Sequence, residues 1–463
     1  MHFVQFYLDC LSQASYLVGD ERTGRAVVVD PRRDVQSYLD EADAAGLRIE
    51  RVIETHVHAD FLSGHLELAG KTGAVVSYGA GTEVDYPIEP LRDGQRLSLG
   101  DVTLDVLATP GHTPESISVV VREHAADEVP YGVLTGDAMF IGDVGRPDLL
   151  SAAGVSPDDL ARRLYRSIHT KLLPLPDATR VFPAHGAGSA CGKKLSTETQ
   201  STIGEQRRTN YAVQPMSEDE FVALVTEGQP LQPMYFSFDA QRNRQAHPLL
   251  DEEHLPAQLT LDDVLARRDA ATVVLDTRDP MDFAAGHVRG SVNVGLHGRF
   301  AEFAGDVVAP DRPVVLVSDP GTALEAKVRM ARVGFDRIEG ALADPLRALV
   351  EHPEVVEPSS RLTAREFDTR RRDVPDLQVV DVRNPGETAD GAVPGAVIMP
   401  LPRLASRVGE LDPTRPTVAY CASGYRSSIA ASVLAAAGFD DVSDLLGGYE
   451  AWSAVAAEQE QST

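Results

Sequence analysis

The sequence predicts an α/β protein built from several domains. Short apolar runs that are typical of buried strands alternate with amphipathic segments along most of the 463 residues. In the second half, one strand–helix–strand pattern occurs twice, about a hundred residues apart, which indicates an internal duplication. The length suits about three domains of ordinary size. We therefore expect one larger α/β domain, followed by two small α/β domains with largely parallel sheets.

The composition favours a soluble protein without a polyanionic partner. Acidic residues (70) outnumber basic residues (43), so the formal net charge is −27. Such a chain repels nucleic acid, and we expect none as a partner. No early apolar run has the length and flanks of a signal peptide, and none could span a bilayer, so no membrane association is expected. The cysteines Cys10, Cys191 and Cys421 lie far apart, which suits the reducing cytoplasm.

The chain opens with elements that lead toward a histidine-rich loop. Residues 3–8 and 26–31 are predicted strands, and Val35 to Ala45 is a predicted amphipathic helix that ends at Gly46. Ser63 to Lys71 is predicted to form another helix. We expect its His65 to lie on a solvated face.

Between these helices, the loop after an apolar run carries His56, His58 and Asp60. Residues two apart on an extended backbone point the same way, so these three side chains can converge on one point. Two imidazoles and a carboxylate at this spacing suit zinc or iron. For this motif alone, a strand end with surface histidines is the competing interpretation.

Three further loops carry candidate ligands. His112, Asp137 and His185 each follow a short apolar run that is typical of a strand. Loops at the ends of neighbouring strands lie side by side at one edge of a sheet, where sites are commonly built. The four loops together therefore predict a metal centre.

These motifs resemble the metallo-β-lactamase superfamily and, within it, the persulfide dioxygenases. The resemblance rests on residues 56–60, 110–113, 136–148 and 183–186. It implies an N-terminal αββα sandwich. Hydrolytic members of the superfamily bind two metals and usually follow the aspartate with a second histidine. Here Phe61 stands at that position, which removes a nitrogen ligand from the second site and favours one metal.

The resemblance also implies the identity of the metal and its ligands. One iron(II) per chain would be held by His56, His112 and Asp137, leaving open positions for substrate and oxygen. Zinc has no redox chemistry. Three further residues would orient the ligands and water from behind: His58, Asp60 and His185.

A glycine-rich segment, residues 186–194, follows the last candidate ligand. Free backbone amides followed by lysines can form an anion-binding loop, so Lys193 is predicted to bind the far end of a thiol substrate. A simple glycine-rich turn is the competing interpretation. Cys191 in the same segment could react with persulfides, although its position alone does not indicate a lowered pKa. We predict that residues 1–245 form the first domain and that residues 246–258 are a linker.

Two segments with the same order of strands and helices follow, at residues 259–355 and 362–463. Both resemble rhodaneses, the sulfurtransferase fold, over nearly their whole lengths. We refer to them as the middle copy and the C-terminal copy. The C-terminal copy has Ala392 where the middle copy has His287. That histidine is usually structural in the family, so its loss does not argue against activity.

In the C-terminal copy, a predicted strand runs directly into Cys421 and then a helix. Backbone amides and the positive end of the helix dipole would face the thiol, and Arg426 adds a positive charge. Both effects lower a thiol pKa and stabilise a persulfide anion. We therefore predict that Cys421 and Arg426 are catalytic. The loop residues predicted to bind substrate are Ala422, Ser423, Gly424, Tyr425 and Ser427.

The middle copy differs at this loop. Its equivalent segment, residues 317–322, contains no cysteine. We expect Asp319 to place a negative charge where a sulfur anion would sit, and Pro320 has no N–H to donate. The middle copy is therefore predicted to be inactive, serving as a spacer or docking surface.

The whole chain resembles fusions of a persulfide dioxygenase with an inactive and an active rhodanese. This implies iron-dependent oxidation of a low-molecular-weight thiol persulfide by dioxygen to sulfite and thiol. It also implies sulfane-sulfur transfer through Cys421, between thiol persulfide and sulfite or thiosulfate, in sulfide detoxification. Sharing one chain would raise the effective concentration of the labile intermediate. A homo-oligomer is compatible with these features.

Two other function classes remain open. One is a zinc-dependent hydrolase of glutathione thioesters with rhodanese modules as passengers, which Phe61 argues against. The other is a non-enzymatic persulfide sensor that uses Cys421 as a reactive thiol. The complete set of two histidines and an aspartate argues against a pure sensor.

Overall fold

The computed structural model describes residues 1–151, 154–389 and 391–460. The chain divides into two compact units. The first comprises residues 1–232 and 236–250, and the second comprises residues 233–235 and the chain from residue 251 onward. None of the helices in the described parts of the chain is both long enough and apolar enough to cross a lipid bilayer.

The first unit contains two six-stranded sheets. The strands of the first sheet, in spatial order, are His2–Leu8 (β1), Gln13–Asp20 (β2), Arg25–Val29 (β3), Arg48–Ile53 (β4), Val75–Gly79 (β5) and Glu89–Leu91 (β6). The strands of the second sheet, in reverse spatial order, are Arg96–Ser98 (β7), Thr103–Ala108 (β8), Ile117–Arg122 (β9), Gly132–Gly136 (β10), Arg180–Pro183 (β11) and Ser201–Thr202 (β12).

The first unit also contains α-helices, several of which pack against the two sheets. They are Gln36–Ala44 (α1), His65–Thr72 (α2), Pro157–Ser167 (α3), Ile203–Thr209 (α4), Glu218–Thr226 (α5) and Phe236–Arg242 (α6). One apolar core joins residues of both sheets, a second joins the first sheet to α1 and α2, and a third joins the second sheet to α3 and α5. The layers are therefore helix, sheet, sheet and helix, and the predicted αββα sandwich is confirmed.

The second unit contains two five-stranded sheets of the same topology. The middle copy has strands Gln258–Leu259 (β13), Val273–Asp276 (β14), Val292–Asn293 (β16), Val314–Val317 (β17) and Ile338–Leu342 (β18), while His287–Val288 (β15) pairs with Val356–Glu357 (β19). Its helices are Leu261–Asp269 (α7), Pro280–Ala285 (α8), Phe300–Val307 (α9), Ala323–Ala331 (α10) and Pro345–Glu351 (α11).

The C-terminal copy repeats this arrangement. Its strands are Ser360–Leu362 (β20), Gln378–Asp381 (β21), Val397–Ile398 (β22), Thr417–Tyr420 (β23) and Val442–Leu445 (β24). Its helices are Ala364–Asp373 (α12), Pro385–Thr388 (α13), Leu401–Arg407 (α14), Tyr425–Ala436 (α15) and Gly448–Glu460 (α16). In both five-stranded sheets, the first strand in sequence lies at one edge, followed by the fifth, fourth, second and third, and all pairs are parallel. The expected duplication of a parallel α/β domain is confirmed.

Candidate active sites

The loops after β4, β8 and β10 bring His56, His112 and Asp137 together. One ligand atom from each residue lies within 4.8 Å of the other two, and all three side chains are buried. The Nε2 atom of His112 is 3.5 Å from Oδ2 of Asp137, and Nε2 of His56 is 3.9 Å from the same oxygen. The three predicted ligands therefore converge at one edge of the sandwich.

The state of these side chains fits a bound metal ion. Nδ1 of His112 donates to the carbonyl oxygen of Arg146 at 2.9 Å, which leaves the Nε2 lone pair facing Asp137. Burial and the neighbouring imidazoles hold the pKa of His56 well below its ordinary value, which favours the neutral ring that binds metals. Within the described chain, both carboxylate oxygens of Asp137 lack a hydrogen-bond donor. A buried carboxylate without hydrogen-bond donors is stabilised by a bound cation.

His58 lies between two carboxylates. Its Nε2 is 3.1 Å from Oδ1 of Asp30 and 3.2 Å from Oε2 of Glu54. Burial opposes a charge on the ring, but the two carboxylates outweigh burial and raise the pKa of His58 well above its ordinary value. These contacts occupy Nε2 of His58 and fix the ring beside His56, at a centroid distance of 4.2 Å. The prediction that His58 orients the site from behind is consistent with this geometry.

A second group of possible ligands lies next to the first. His58, Asp60 and His185 each offer an atom within 4.8 Å of the others, and Nε2 of His185 is 3.1 Å from Oδ2 of Asp60. Phe61 is buried beside them, with its ring 4.3 Å from that of His58. An apolar ring therefore packs where hydrolytic members of the superfamily carry a further ligand.

Cys191 also reaches this centre, which its place in a glycine-rich segment did not indicate. Its thiol belongs to a third buried group, with Asp137 and His185. Burial, with the nearby charges of Asp60 and Asp137, raises the pKa of Cys191 well above the ordinary thiol value. The thiol is therefore protonated and is not an activated nucleophile in this state.

The lysines of the same segment do not form an open anion-binding loop. The N–H groups of Lys193 and Lys194 both donate to Oδ2 of Asp143, at 2.6 Å each. The ammonium group of Lys193 donates to the carbonyl oxygens of Leu224 and Glu227 at the end of α5. Two of the amides expected to be free are thus occupied. Substrate binding by Lys193 stays a prediction, without a contact in its favour.

Three buried residues behind the metal ligands were missed by the sequence analysis. Asp30 and Glu54 follow the apolar runs of β3 and β4, a position that could have identified them as site residues. His65 was expected to be solvated, and this expectation is wrong. It is fully buried, with Nδ1 at 3.3 Å from Oε1 of Glu54 and its ring stacked on Tyr86. The apolar periodicity of a short helix did not reveal this ionic partner.

Asn243, just after α6, braces the loop that carries the first ligands. Its side-chain amide donates to the carbonyl oxygens of His58 and Phe61, at 2.8 Å each, and accepts from the N–H of Ser63 at 2.9 Å. The side chain is completely buried. Both N–H donors of the amide and its carbonyl oxygen therefore hold the backbone around His58 in place.

We expect Asn243→Asp to lower the affinity for metal by about 10- to 100-fold, because the carboxylate cannot donate to the two carbonyl oxygens. Metal affinity would be measured on the full chain by chelator competition, alongside thermal unfolding. Asn293→Asp is the matched control, since Asn293 is equally buried and donates to the carbonyl oxygens of Asp276 and Arg278 at 3.0 Å each in the middle copy. Equal metal affinity in the two variants would contradict the bracing role.

The predicted sulfur site lies at the turn between β23 and α15. The Cys421 side chain is buried, and the N–H of Gly424 donates to its Sγ atom at 3.1 Å. Oγ of Ser427 lies 3.6 Å from the same sulfur. Gly424 has a φ of 108°, a conformation that glycine adopts without strain. The turn therefore directs a backbone amide and the start of α15 at the thiol.

Tyr425 and Arg426 of the turn have partners on neighbouring elements. The guanidinium of Arg426 forms two hydrogen bonds with the carboxylate of Glu387, at 2.6 and 2.7 Å. Although partial burial opposes the charge, Glu387 has a lowered pKa because Arg426 stabilises its carboxylate. The Tyr425 hydroxyl donates to the carbonyl oxygens of Gly295 and His297 in the middle copy. Arg426 is thus held in place by Glu387, a residue that the sequence analysis missed.

The middle copy carries a serine at the nucleophile position. Asp276 pairs with Val317 as Asp381 pairs with Tyr420, so the residues that follow these strands correspond. Ser318 therefore stands where Cys421 stands in the C-terminal copy, and it is buried. The expectation that Asp319 occupies the place of the sulfur is wrong, because Asp319 corresponds to Ala422 and is exposed.

The same correspondence matches Ala323 of the middle copy with Arg426. Ser318 accepts a hydrogen bond from the Thr277 hydroxyl at 2.8 Å. The middle copy thus lacks both the thiol and the guanidinium of the C-terminal turn. Its inactivity stays a prediction, now resting on these two replacements.

Two family models match the chain. The metallo-beta-lactamase superfamily model matches residues 8–185. The rhodanese-like domain model matches twice, at residues 260–341 and 363–455. The two rhodanese matches lie in the two copies of the second unit.

Individual proteins show the same relationships. "Persulfide dioxygenase ETHE1, mitochondrial" of Homo sapiens is 30% identical over 237 residues, which cover 50% of this chain and 82% of the relative. A probable metallo-hydrolase of Burkholderia pseudomallei is 30% identical over 249 residues, covering 46% of this chain and 81% of the relative. The crystal structure of a metallo-beta-lactamase from Staphylococcus aureus subsp. aureus COL is 33% identical, with a TM-score of 0.66. It covers 73% of this chain and 98% of the solved one.

Proposed function

Because the chain belongs to the metallo-β-lactamase superfamily and carries two rhodanese-like domains, we propose that it is a persulfide dioxygenase with sulfurtransferase activity. The first unit oxidises a low-molecular-weight thiol persulfide, RSSH, with dioxygen and water to the thiol RSH, sulfite and two protons. Cys421 carries sulfane sulfur between thiol persulfide and sulfite or thiosulfate. The wide spacing of the three cysteines along the chain supports a reducing, cytoplasmic setting for this chemistry.

The buried set of His56, His112 and Asp137 carries the proposal for the first unit. Two imidazoles and one carboxylate on one face are typical ligands of non-haem iron(II) in oxygenases, so we infer one iron per chain. Bound iron supplies the redox chemistry by which dioxygen reacts with persulfide sulfur. Asn243 and the carbonyl oxygen of Arg146 keep His58 and the proposed ligand His112, respectively, in place.

In the C-terminal copy, the Cys421 thiolate attacks the outer sulfur of RSSH. The S–S bond to the carrier breaks, RS⁻ leaves and takes up a proton, and a persulfide remains on Cys421. Sulfite then attacks the outer sulfur of this persulfide, so that thiosulfate forms and the Cys421 thiolate leaves. The N–H of Gly424 and the start of α15 stabilise the sulfur anion in both states.

A hydrolase of thioesters is the second candidate, because one relative is named a probable metallo-hydrolase and a second group of possible ligands is present. Phe61 disfavours it, since its ring replaces a nitrogen ligand. The test uses protein purified anaerobically. We expect about one iron per chain, and dioxygen uptake with glutathione persulfide that matches the sum of sulfite and thiosulfate formed. Two zinc ions per chain together with thioester hydrolysis would overturn the proposal.

A further inference from the structure

A cleft of about 390 Å³ lies beside the Cys421 turn, between the two rhodanese copies of the second unit. Ser423, Gly424 and Tyr425 line it from the C-terminal copy, and Gly424 is the residue whose N–H donates to the Cys421 sulfur. The middle copy contributes Met281 and His297 to its lining. The cleft therefore adjoins the turn that holds Cys421, and residues of the middle copy form part of its lining.

The two copies are fixed to each other at this point. The Tyr425 hydroxyl donates to the carbonyl oxygens of Gly295 and His297, at 2.7 and 3.1 Å. Further along α15, the Ser432 hydroxyl accepts from the backbone N–H of Asn293 at 2.9 Å. These hydrogen bonds join the nucleophile turn and its helix to β16 and the loop that follows it. These hydrogen bonds therefore hold the middle copy in a fixed position relative to the Cys421 turn.

The lining suits an organic molecule better than a small inorganic anion. Pockets for organic ligands measure roughly 300 to 1,000 Å³, whereas thiosulfate or sulfite would fill only part of this cleft. Met281 is apolar yet 59% exposed, and its sulfur accepts from Arg361 at 3.1 Å. The guanidinium of Arg361 is itself paired with Asp444 at 2.9 Å, so its charge is already balanced. A free dianion therefore gains little from this part of the lining.

We propose that the middle copy, which lacks a nucleophile, forms one wall of the binding site for the organic carrier of the persulfide that loads Cys421. The carrier lies against Met281 and His297, and its outer sulfur reaches the thiol past Gly424. This inference rests on the proposed sulfur transfer through Cys421. It assigns to the middle copy the selection of organic persulfides over inorganic sulfur donors.

The test compares two donors, glutathione persulfide and thiosulfate, with cyanide as the acceptor, under anaerobic conditions and on the full chain. Met281→Ala should raise KM for glutathione persulfide by up to about tenfold, the scale of a lost apolar contact in a binding pocket. The KM for thiosulfate should rise by less than about twofold, because so small an ion does not reach this wall. His297→Ala should act in the same direction.

Val350→Ala is the matched control, because Val350 is an 80% exposed apolar residue of the middle copy on α11, outside the cleft. It should change neither KM. Equal effects of Met281→Ala on both donors, or on neither, would overturn the carrier site while leaving sulfur transfer intact. A wild-type protein inert toward both donors would instead refute the transfer through Cys421, and the carrier site with it.

Discussion

Cys421→Ser is expected to reduce sulfur transfer from thiosulfate or persulfide to background, a loss of at least about a thousandfold. A serine hydroxyl is far less ionised and less nucleophilic than a thiol at neutral pH, and it cannot form a persulfide. The substitution is sterically mild at a buried position that follows β23. Sulfurtransferase turnover with cyanide as the acceptor measures the loss.

The same variant should still consume oxygen with glutathione persulfide at close to the wild-type rate, because the proposed iron ligands lie in the other unit. Adding Ser318→Cys to this variant places a thiol in the middle copy. It should not restore transfer, since Ala323 stands where the C-terminal copy has Arg426. Loss of oxygen uptake in folded, iron-loaded Cys421→Ser protein would show that the two sites are not independent.

His112→Ala should abolish both iron retention and oxygen uptake. It removes one of three ligands and leaves the carboxylate of Asp137 buried with one fewer neutral partner. Iron content, measured by mass spectrometry after anaerobic purification, and oxygen uptake on glutathione persulfide should fall together. Both should drop by at least about a hundredfold, the upper end of the losses seen when only supporting groups are removed.

Sulfur transfer from thiosulfate provides the internal control for this variant. It should persist in His112→Ala, because Cys421 and its turn belong to the second unit. A His112→Ala protein that retained iron and oxidised persulfide would exclude His112 as a ligand. The group formed by His58, Asp60 and His185 would then be the next candidate for the metal site.

The layered fold and the duplication could be predicted from the sequence, because strand-like runs and turns repeat along the chain and carry their own periodicity. The convergence of His56, His112 and Asp137 was also predictable, since each residue follows a strand, although these strands belong to two sheets of the sandwich rather than to one. Local patterns of this kind predict which side chains take part in a site. They do not predict which other residues contact those side chains.

What the sequence could not supply are contacts between residues distant in the chain. The burial of His65 depends on Glu54 and Tyr86, and its place in a helical pattern gave no sign of either. The register that aligns Ser318 with Cys421 became visible only through strand pairing, because the loop residues alone suggested Asp319. The sequence also did not indicate that the ammonium group of Lys193 donates to a carbonyl oxygen near the end of α5.

The brace formed by Asn243 also has a consequence for the order of events during synthesis. The carbonyl oxygen of Phe61 accepts a hydrogen bond from Asn243, which lies 182 positions later in the chain. At ribosomal speeds of about 5 to 20 residues per second, that interval lasts roughly 10 to 40 seconds. The metal loop of a nascent chain therefore remains incomplete throughout this period. We expect iron to be captured only after α6 and Asn243 have left the ribosome, while much of the second unit is still being made.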